Sequence, residues 1–222
     1  MDVYIIDVYI IGAGGNSKVV TDICELNKYK IVGIFDDKYT GTEEEIYKKY
    51  KLIGKIGDIC KYKSINIINS IGDTKIRYSI YQKLVDLNLN WINCIHPNSH
   101  LVSNVSMGIG NIICYGSFIN SDTMIGNFNL INTYAVIEHD CIIGNFNHIA
   151  PRTTLCGGIN IGNLNLLGAS TTIIPCKKIG NENIIGAMSV IISNFGDGCT
   201  IVGIPGKIKN VRVPASNSLI IN

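Results

Sequence analysis

An α/β domain followed by an all-β parallel β-helix is the fold that the sequence predicts, and three observations predict it. The first is an aliphatic residue at every sixth position, without a break, from Ile125 through Ile131, Ile137 and onward to Ile191. The second is a slower period: the segments IGNFN, IGNFN, IGNLN and IGNEN begin at Ile125, Ile143, Ile161 and Ile179, three hexads apart. The third is a strand, glycine loop and helix in the first 26 residues. A period of six matches neither the helical repeat nor the simple alternation of a strand. It fits short strands wound into flat-sided coils, with six residues to a side and eighteen to a turn of a three-sided prism. The aliphatic column then fills the axis. Asn129, Asn147, Asn165 and Asn183 stack at one corner, where their amides serve turn backbone groups.

Taken in order, Val8–Ile11 reads as a buried strand running into Gly12-Ala13-Gly14-Gly15-Asn16-Ser17. A helix follows, with Val19, Val20, Ile23 and Leu26 on one face and Ser17 placed to cap it. A second strand, Ile31–Phe35, ends in Asp36-Asp37-Lys38, at the edge where parallel sheets bind ligands. Tyr39–Tyr50 is polar and reads as an exposed loop or short helix. Ile65–Ile71 forms a third strand closing on Gly72-Asp73-Thr74, and the helix Lys75–Leu89 places Ile76, Ile80, Leu84 and Leu87 together. Trp91–Ile95 is the last strand, leading to His96-Pro97. The hexads begin at Leu101, Met107, Ile113 and Ile119, but Ile109-Gly110 lies two residues out of phase, which predicts one irregular coil. Phase is lost again at Asp197, and Val202–Lys207 reads as a turn ending the prism. The expected division is therefore residues 1–95, 96–210 and a tail of 211–222. The direct repeat DVYIIDVYII over Asp2–Ile11 is accounted for only in its second copy.

With 222 residues and a net charge of +2, the chain can bury a sizeable core and has no long run of Lys or Arg. That argues against nucleic acid and anionic membrane as partners. Asp2 and Asp7 interrupt the apolar N-terminus, which lacks a basic start, and no run is long enough to span a bilayer. Eight cysteines are scattered with no C-x-x-C pair. The expectation is reduced thiols, no metal and a cytoplasmic location.

Two histidines stand out in a prism that needs none for packing. His139 is flanked by Glu138 and Asp140 in one hexad. An Asp140 carboxylate on one imidazole nitrogen fixes the tautomer and raises the basicity of the other, which is how a general base is built. A surface histidine with acidic neighbours is the plain alternative. His148 reads equally as a functional group or a structural corner bond. The loop Gly12-x-Gly14-x-x-Ser17 lets backbone approach a phosphate at a helix start, with Asp36 about 20 residues on. It lacks the third glycine of the dinucleotide fingerprint, so a mononucleotide-linked ligand fits better than NAD, and a structural turn is the rival.

Together the motifs GAGGNSK, FDDK, SIGDTKIR, NTYAVIEHDC, GNFNHIAP and VGIPGK, spanning Val8 to about Lys207, resemble one known family. It is the left-handed β-helix (hexapeptide-repeat) acyltransferases with an N-terminal Rossmann-like nucleotide-sugar domain. PglD-type N-acetyltransferases of UDP-4-amino-4,6-dideoxy sugars are the nearest branch; NeuD-like sialic acid O-acetyltransferases are relatives. The resemblance implies the left hand of the coil, which periodicity does not give. It implies that His139 is the base, paired with Asp140, and that acetyl-CoA is the co-substrate. Asn132 and His148 then stand near the acetyl group, with Gly157, Gly168, Ala169, Gly186, Ala187, Pro205 and Lys207 along the coenzyme slot. Gly12, Ala13, Gly14, Gly15, Asp36, Asp37, Lys38 and Gly72 correspond to the uridine side. A homotrimer with the coenzyme between neighbouring subunits is implied as well. Asn16 stands where the family often has histidine, and Asp140 where its close members carry glutamate. Sugar O-acetylation, a nucleotide-sugar oxidoreductase and a silent trimeric scaffold are the rival functions.

Overall fold

The structure, a computed structural model, describes residues 5–42, 44–46 and 50–212. The first copy of the N-terminal repeat and the end of the expected tail fall largely outside them. Strand β1 (Ile6–Ile11) forms the centre of a six-stranded sheet with β2 (Tyr29–Phe35), β3 (Glu44–Ile46), β4 (Tyr50–Gly54), β5 (Asn66–Asn69) and β6 (Asn90–Trp91), in the order β3-β4-β2-β1-β5-β6. All neighbours run parallel except the β3–β4 hairpin. That hairpin occupies part of the stretch expected as loop or helix. Ile10, Ile34 and Ile68 sit side by side on adjacent parallel strands and are buried to 1% or less, so the apolar runs became central strands.

Both helices keep part of the expected face, Val20 and Ile23 in the first and Ile80 and Leu84 in the second, but are rotated from the rest of it. In α1 (Gly15–Leu26) Ser17, Val20, Thr21, Ile23 and Cys24 are buried, while Val19 and Leu26 are exposed. Gly14 is the N-cap, and Ser17 lies inside the first turn, donating its hydroxyl to Gly14 O at 2.6 Å. Helix α2 (Thr74–Leu84) is shorter than expected and buries Arg77, Ile80 and Leu84, leaving Ile76 54% exposed. An arginine inside a helix face is what the apolar periodicity could not anticipate.

From Cys94 the chain winds into a left-handed prism of two-residue strands in three parallel sheets. Face one runs from Cys94–Ile95 to Cys199–Val202, face two from His100–Leu101 to Val190–Ile191, and face three from Ser106–Met107 to Lys178–Ile179. The predicted strand Trp91–Ile95 is thus split. Trp91 closes the α/β sheet, whereas Cys94–Ile95 pairs with Ile112–Ile113 as the first rung of the prism. The axial column from Ile113 to Ile191 is buried to 4% or less at the hexad positions of the continuous cluster. Each such side chain contributes about 1.5–3 kcal/mol by leaving water.

From Asn104 to Met188 each corner turns through one left-handed residue, recurring every six positions. No irregular coil interrupts them: Gly110 takes its corner place at φ 68°, and Ile109 points to solvent. Side chains are strained in that region, yet Phe128, Tyr134, Phe146, Arg152 and Leu164 all adopt it. Ladder bonds offset the strain, such as Phe146 N–H to Asn127 O at 2.8 Å. At the corner between faces three and one, Asn111, Asn129, Asn147, Asn165 and Asn183 form the expected buried stack. Each Oδ1 accepts the N–H one coil ahead, at 2.8 to 2.9 Å, ending on Cys199. A second ladder through Asn127, Asn145, Asn163 and Asn181 runs the opposite way and ends on Asp197. The phase shift at Asp197 reflects a last coil of sixteen residues rather than eighteen.

The same corner carries the α/β domain. Its left-handed residues Phe128, Phe146 and Leu164 form a ridge under α2 and β6. The Phe128 and Phe146 rings stack at 4.9 Å, and Tyr81 lies 4.6 Å from Phe128. On face one, the outward residues Cys94, Ile112 and Leu130 are buried against Val20, Ile23 and Cys24 of α1. Above them on that column the cover ends, and His148, Leu166 and Ile184 line a cleft.

Candidate active site

The glycine loop is built for open backbone. Only Gly12 needs to be glycine on local grounds: its φ is 96°, and a Cβ there meets Ile71 Cδ1 at 2.6 Å. A Cβ at Gly14, Gly15 or Gly72 meets nothing within 4 Å, so packing gives no reason for glycine at these three positions. Asp36 crosses to the loop, accepting the Ala13 N–H at 2.7 Å through Oδ2 and the Lys38 N–H at 2.9 Å through Oδ1. Asp37 accepts from Ile56 N–H at 3.1 Å. Asn16 donates to Ser70 O at 2.8 Å and so ties the loop to the end of β5. The Gly12–Gly15 loop, Asp36 and Gly72 therefore come together at the carboxyl edge of the sheet. A cleft of about 390 Å³ opens beside them, lined by Asp36, Asp37, Ile71, Lys75 and Lys83.

Lys75 also lines the cleft of about 450 Å³ beneath α2, with Gly72, His148, Leu166, Glu182 and Arg212. Its Nζ bonds Glu182 Oε2 at 2.9 Å across the space, and Arg212 Nη2 holds Glu182 O at 3.1 Å. Within this cleft His148 is held from two sides. The Asn132 Oδ1 accepts Thr133 N–H at 2.8 Å, which turns its Nδ2 toward His148 Nε2 at 3.2 Å. Nε2 is then the acceptor, and the proton sits on Nδ1. Burial, then the Arg77 cation, depress the His148 pKa to about 4, against smaller opposing effects of the Gly72 backbone bond and Asp73. The ring is neutral at pH 7.

His139 lies elsewhere. It occupies the corner between faces two and three, whereas Asn132 occupies the corner between faces one and two. Asp140, left-handed at φ 57°, reaches back so that its Oδ2 meets His139 Nδ1 at 2.6 Å. This hydrogen bond, more than the Asp140 and Glu138 charges, raises the His139 pKa above its ordinary value. Nε2 is left free as the proton acceptor. Glu138 is turned away and accepts from Asn120 Nδ2 at 2.7 Å. One coil on, Gly157 supplies the space for the ring: a Cβ there meets His139 Cε1 and Nε2 at 2.7 Å. The pair stays exposed, 59% and 65% at the side chains.

The remaining residues expected along the coenzyme slot divide in the same way. Gly168 and Gly186 continue the Asn132 column coil by coil, with Ala169 and Ala187 beside them; Gly157 belongs to the His139 corner. Pro205 lies in an exposed turn whose Gly206 N–H bonds Val190 O at 2.7 Å, and the exposed Lys207 begins a strand antiparallel to Cys199–Val202. One chain thus brings Asn132 to His148 but leaves His139 a full face away. Sequence reasoning missed Lys75, Glu182, Arg212 and Arg77. The available signal was the spacing Arg77, Ile80, Leu84, which outranks Ile76, Ile80, Leu84 only if an arginine is allowed inside. Among the described residues, no group of three His, Cys, Asp or Glu side chains could hold a metal ion, and no helix is long and apolar enough to cross a membrane.

Comparison with known proteins bears on the fold and the family. Residues 7–84 match the profile of the PglD N-terminal domain, and residues 122–157 match that of the bacterial transferase hexapeptide, six repeats. The structure of PerB from Caulobacter crescentus, in complex with CoA and GDP-perosamine, is 30% identical, covers 92% of this chain and 97% of its own, and superposes with a TM-score of 0.86. The acetyltransferase domain of PglB from Neisseria gonorrhoeae FA1090, in complex with acetyl coenzyme A, is 25% identical over 91% of this chain and 98% of its own, with a TM-score of 0.84. An uncharacterized protein of Acanthamoeba polyphaga mimivirus is 41% identical over 115 residues, 52% of this chain; the match spans only 22% of that protein's length.

Proposed function

Since this chain belongs to the PglD-like sugar acetyltransferases, which join an α/β nucleotide domain to a left-handed hexapeptide-repeat prism, we propose that it transfers the acetyl group of acetyl-CoA to the amino group of a nucleotide-linked amino sugar. The acceptor we assign is a UDP-linked 4-amino-4,6-dideoxy sugar. The observation that carries the reading is the 2.6 Å His139–Asp140 pair above Gly157, a basic imidazole with a free Nε2 at an open corner.

In this mechanism Nε2 of His139 takes the proton of the sugar amine as its nitrogen attacks the thioester carbon. The tetrahedral oxyanion needs a donor. The neutral His148 has no proton on Nε2 to offer, whereas Asn132 keeps a second Nδ2–H beside it. Asn132 is therefore the donor, oriented by Thr133 and His148. Collapse breaks the carbon–sulfur bond, and the imidazolium returns its proton to the departing thiolate. No acyl-enzyme forms. The nucleotide enters over Gly14, Gly15 and Gly72, where open backbone suits a phosphate.

The separation of His139 from Asn132 by a whole face favours a site shared between protomers, and a homotrimer is part of the proposal. Tyr134 and Met188, exposed at 47% and 69% on the Asn132 corner, suit contact with a neighbour. The test is thiol release from acetyl-CoA with UDP-linked and GDP-linked 4-amino-4,6-dideoxy sugars and with free sialic acid. Turnover with the UDP sugar is expected. Turnover with the GDP sugar alone overturns the choice of nucleotide, turnover with sialic acid alone overturns N-acetylation, and none with any acceptor overturns the enzyme reading.

A further inference from the structure

Arg77 is the largest side chain among those fully buried in the described residues, and it is charged. Its guanidinium donates five hydrogen bonds, all to backbone carbonyls. Nη1 reaches Ile71 O at 2.7 Å and Gly72 O at 3.0 Å, on the loop that closes β5. Nε reaches Phe128 O at 2.9 Å, and Nη2 reaches Phe146 O at 3.2 Å and Asn147 O at 3.1 Å, on two successive coils of the prism. Cohesion alone is a poor reason for this residue, because an apolar side chain fills a seam without the cost of desolvating a cation. The carbonyls it chooses are more informative. Asn147 directly precedes His148, and Gly72 lines the same cleft as the His148 ring.

We infer that Arg77 is a positioning residue: one planar fork ties the Gly72 loop to the strand carrying His148, and so fixes the tautomer and aim of the His148–Asn132 pair. The consequence for acyl transfer rests on the function proposed above; the geometry does not. A guanidinium suits the task because its five donors lie in one rigid plane. Lysine keeps the charge but has a single nitrogen, which cannot reach both backbones.

The experiment is imidazole ¹⁵N NMR of His148 in the full-length protein, with steady-state kinetics alongside. In the wild type a single neutral tautomer, protonated on Nδ1, is expected from about pH 5 to 9. In Arg77→Lys the tautomers should average, and kcat should fall about tenfold or more through loss of alignment. Tyr81→Leu loosens the aromatic seam around Phe128 without touching the guanidinium, so it should keep the wild-type imidazole signal. A lysine variant with the native signal and native kcat, changed only in melting temperature, overturns the proposal. So does a wild-type ring that already exchanges between tautomers, which needs no variant to fold. The NMR readout uses no substrate, so a failure of the acetyl-transfer reading would be seen separately.

Discussion

At the scale of single residues, the two histidines have been given opposite characters by their neighbours, and each makes a prediction. If His139 is the proposed base it works when deprotonated, so its raised pKa puts the acid limb of the rate profile above the ordinary histidine value. Asp140→Asn removes the carboxylate that raises it. The limb should move to lower pH, and the plateau should drop by about 10²-fold or more as the tautomer is lost; an unmoved limb in kcat/KM against pH would sink the pairing. Gly157→Ala puts a methyl 2.7 Å from the imidazole, so activity should fall steeply while circular dichroism and melting stay near wild type. His148 runs the other way. Its folded pKa of about 4 lies below the ordinary 6.5, so as pH falls the unfolded chain takes its proton first. Stability should be full above about pH 6.5 and fall by up to roughly 3 kcal/mol on the way to pH 4. Urea midpoints at both ends of that window check it, and His148→Gln should flatten the difference. The E-H-D hexad was legible because ionisable residues are rare in a coil. Arg77 was not, since an arginine on a helix reads as solvated until the seam around it is known.

At the scale of elements, the prism was almost wholly legible and the α/β domain less so. A hexad aliphatic column leaves each strand one phase, and the structure keeps that phase from Ile113 to Ile191. The helices admit several faces from the same residues, and packing kept Val20, Ile23, Ile80 and Leu84 but took Cys24 and Arg77 inside in place of Val19, Leu26 and Ile76. Trp91–Ile95 reads as one strand because both halves are apolar; only pairing reveals that they serve different sheets. The asparagine stack was foreseen, but its counter-running partner was not, because side-chain direction along a corner leaves no mark in spacing. Asn147→Ala removes an amide that bonds Gly162 O and Asn129 Oδ1, and strands the buried Asn165 N–H. The expected loss is about 2–4 kcal/mol, from several bonds and one unpaired donor. Asn160→Ala, on the exposed side of face three, should stay within about 0.5 kcal/mol in the same chemical denaturation series.

At the scale of the whole molecule, the proposed shared site rests on the distribution of chemistry over two corners. If His139 of one protomer serves Asn132 and His148 of the next, two inactive variants can rescue each other. Random trimers of His139→Ala and Asn132→Ala chains should recover about a quarter of wild-type activity, since half the chains supply each function. A mixture as dead as its parts would place the whole reaction within single chains. The ridge of Phe128, Phe146 and Leu164 has a separate consequence for how such a chain can grow. The front domain grips three consecutive storeys, and its tether enters at Cys94 beneath them, so a storey added between tether and grip would pull the two apart. Splicing a duplicate of residues 166–183 in after Asn183 disturbs neither. The tower can gain height only at its roof.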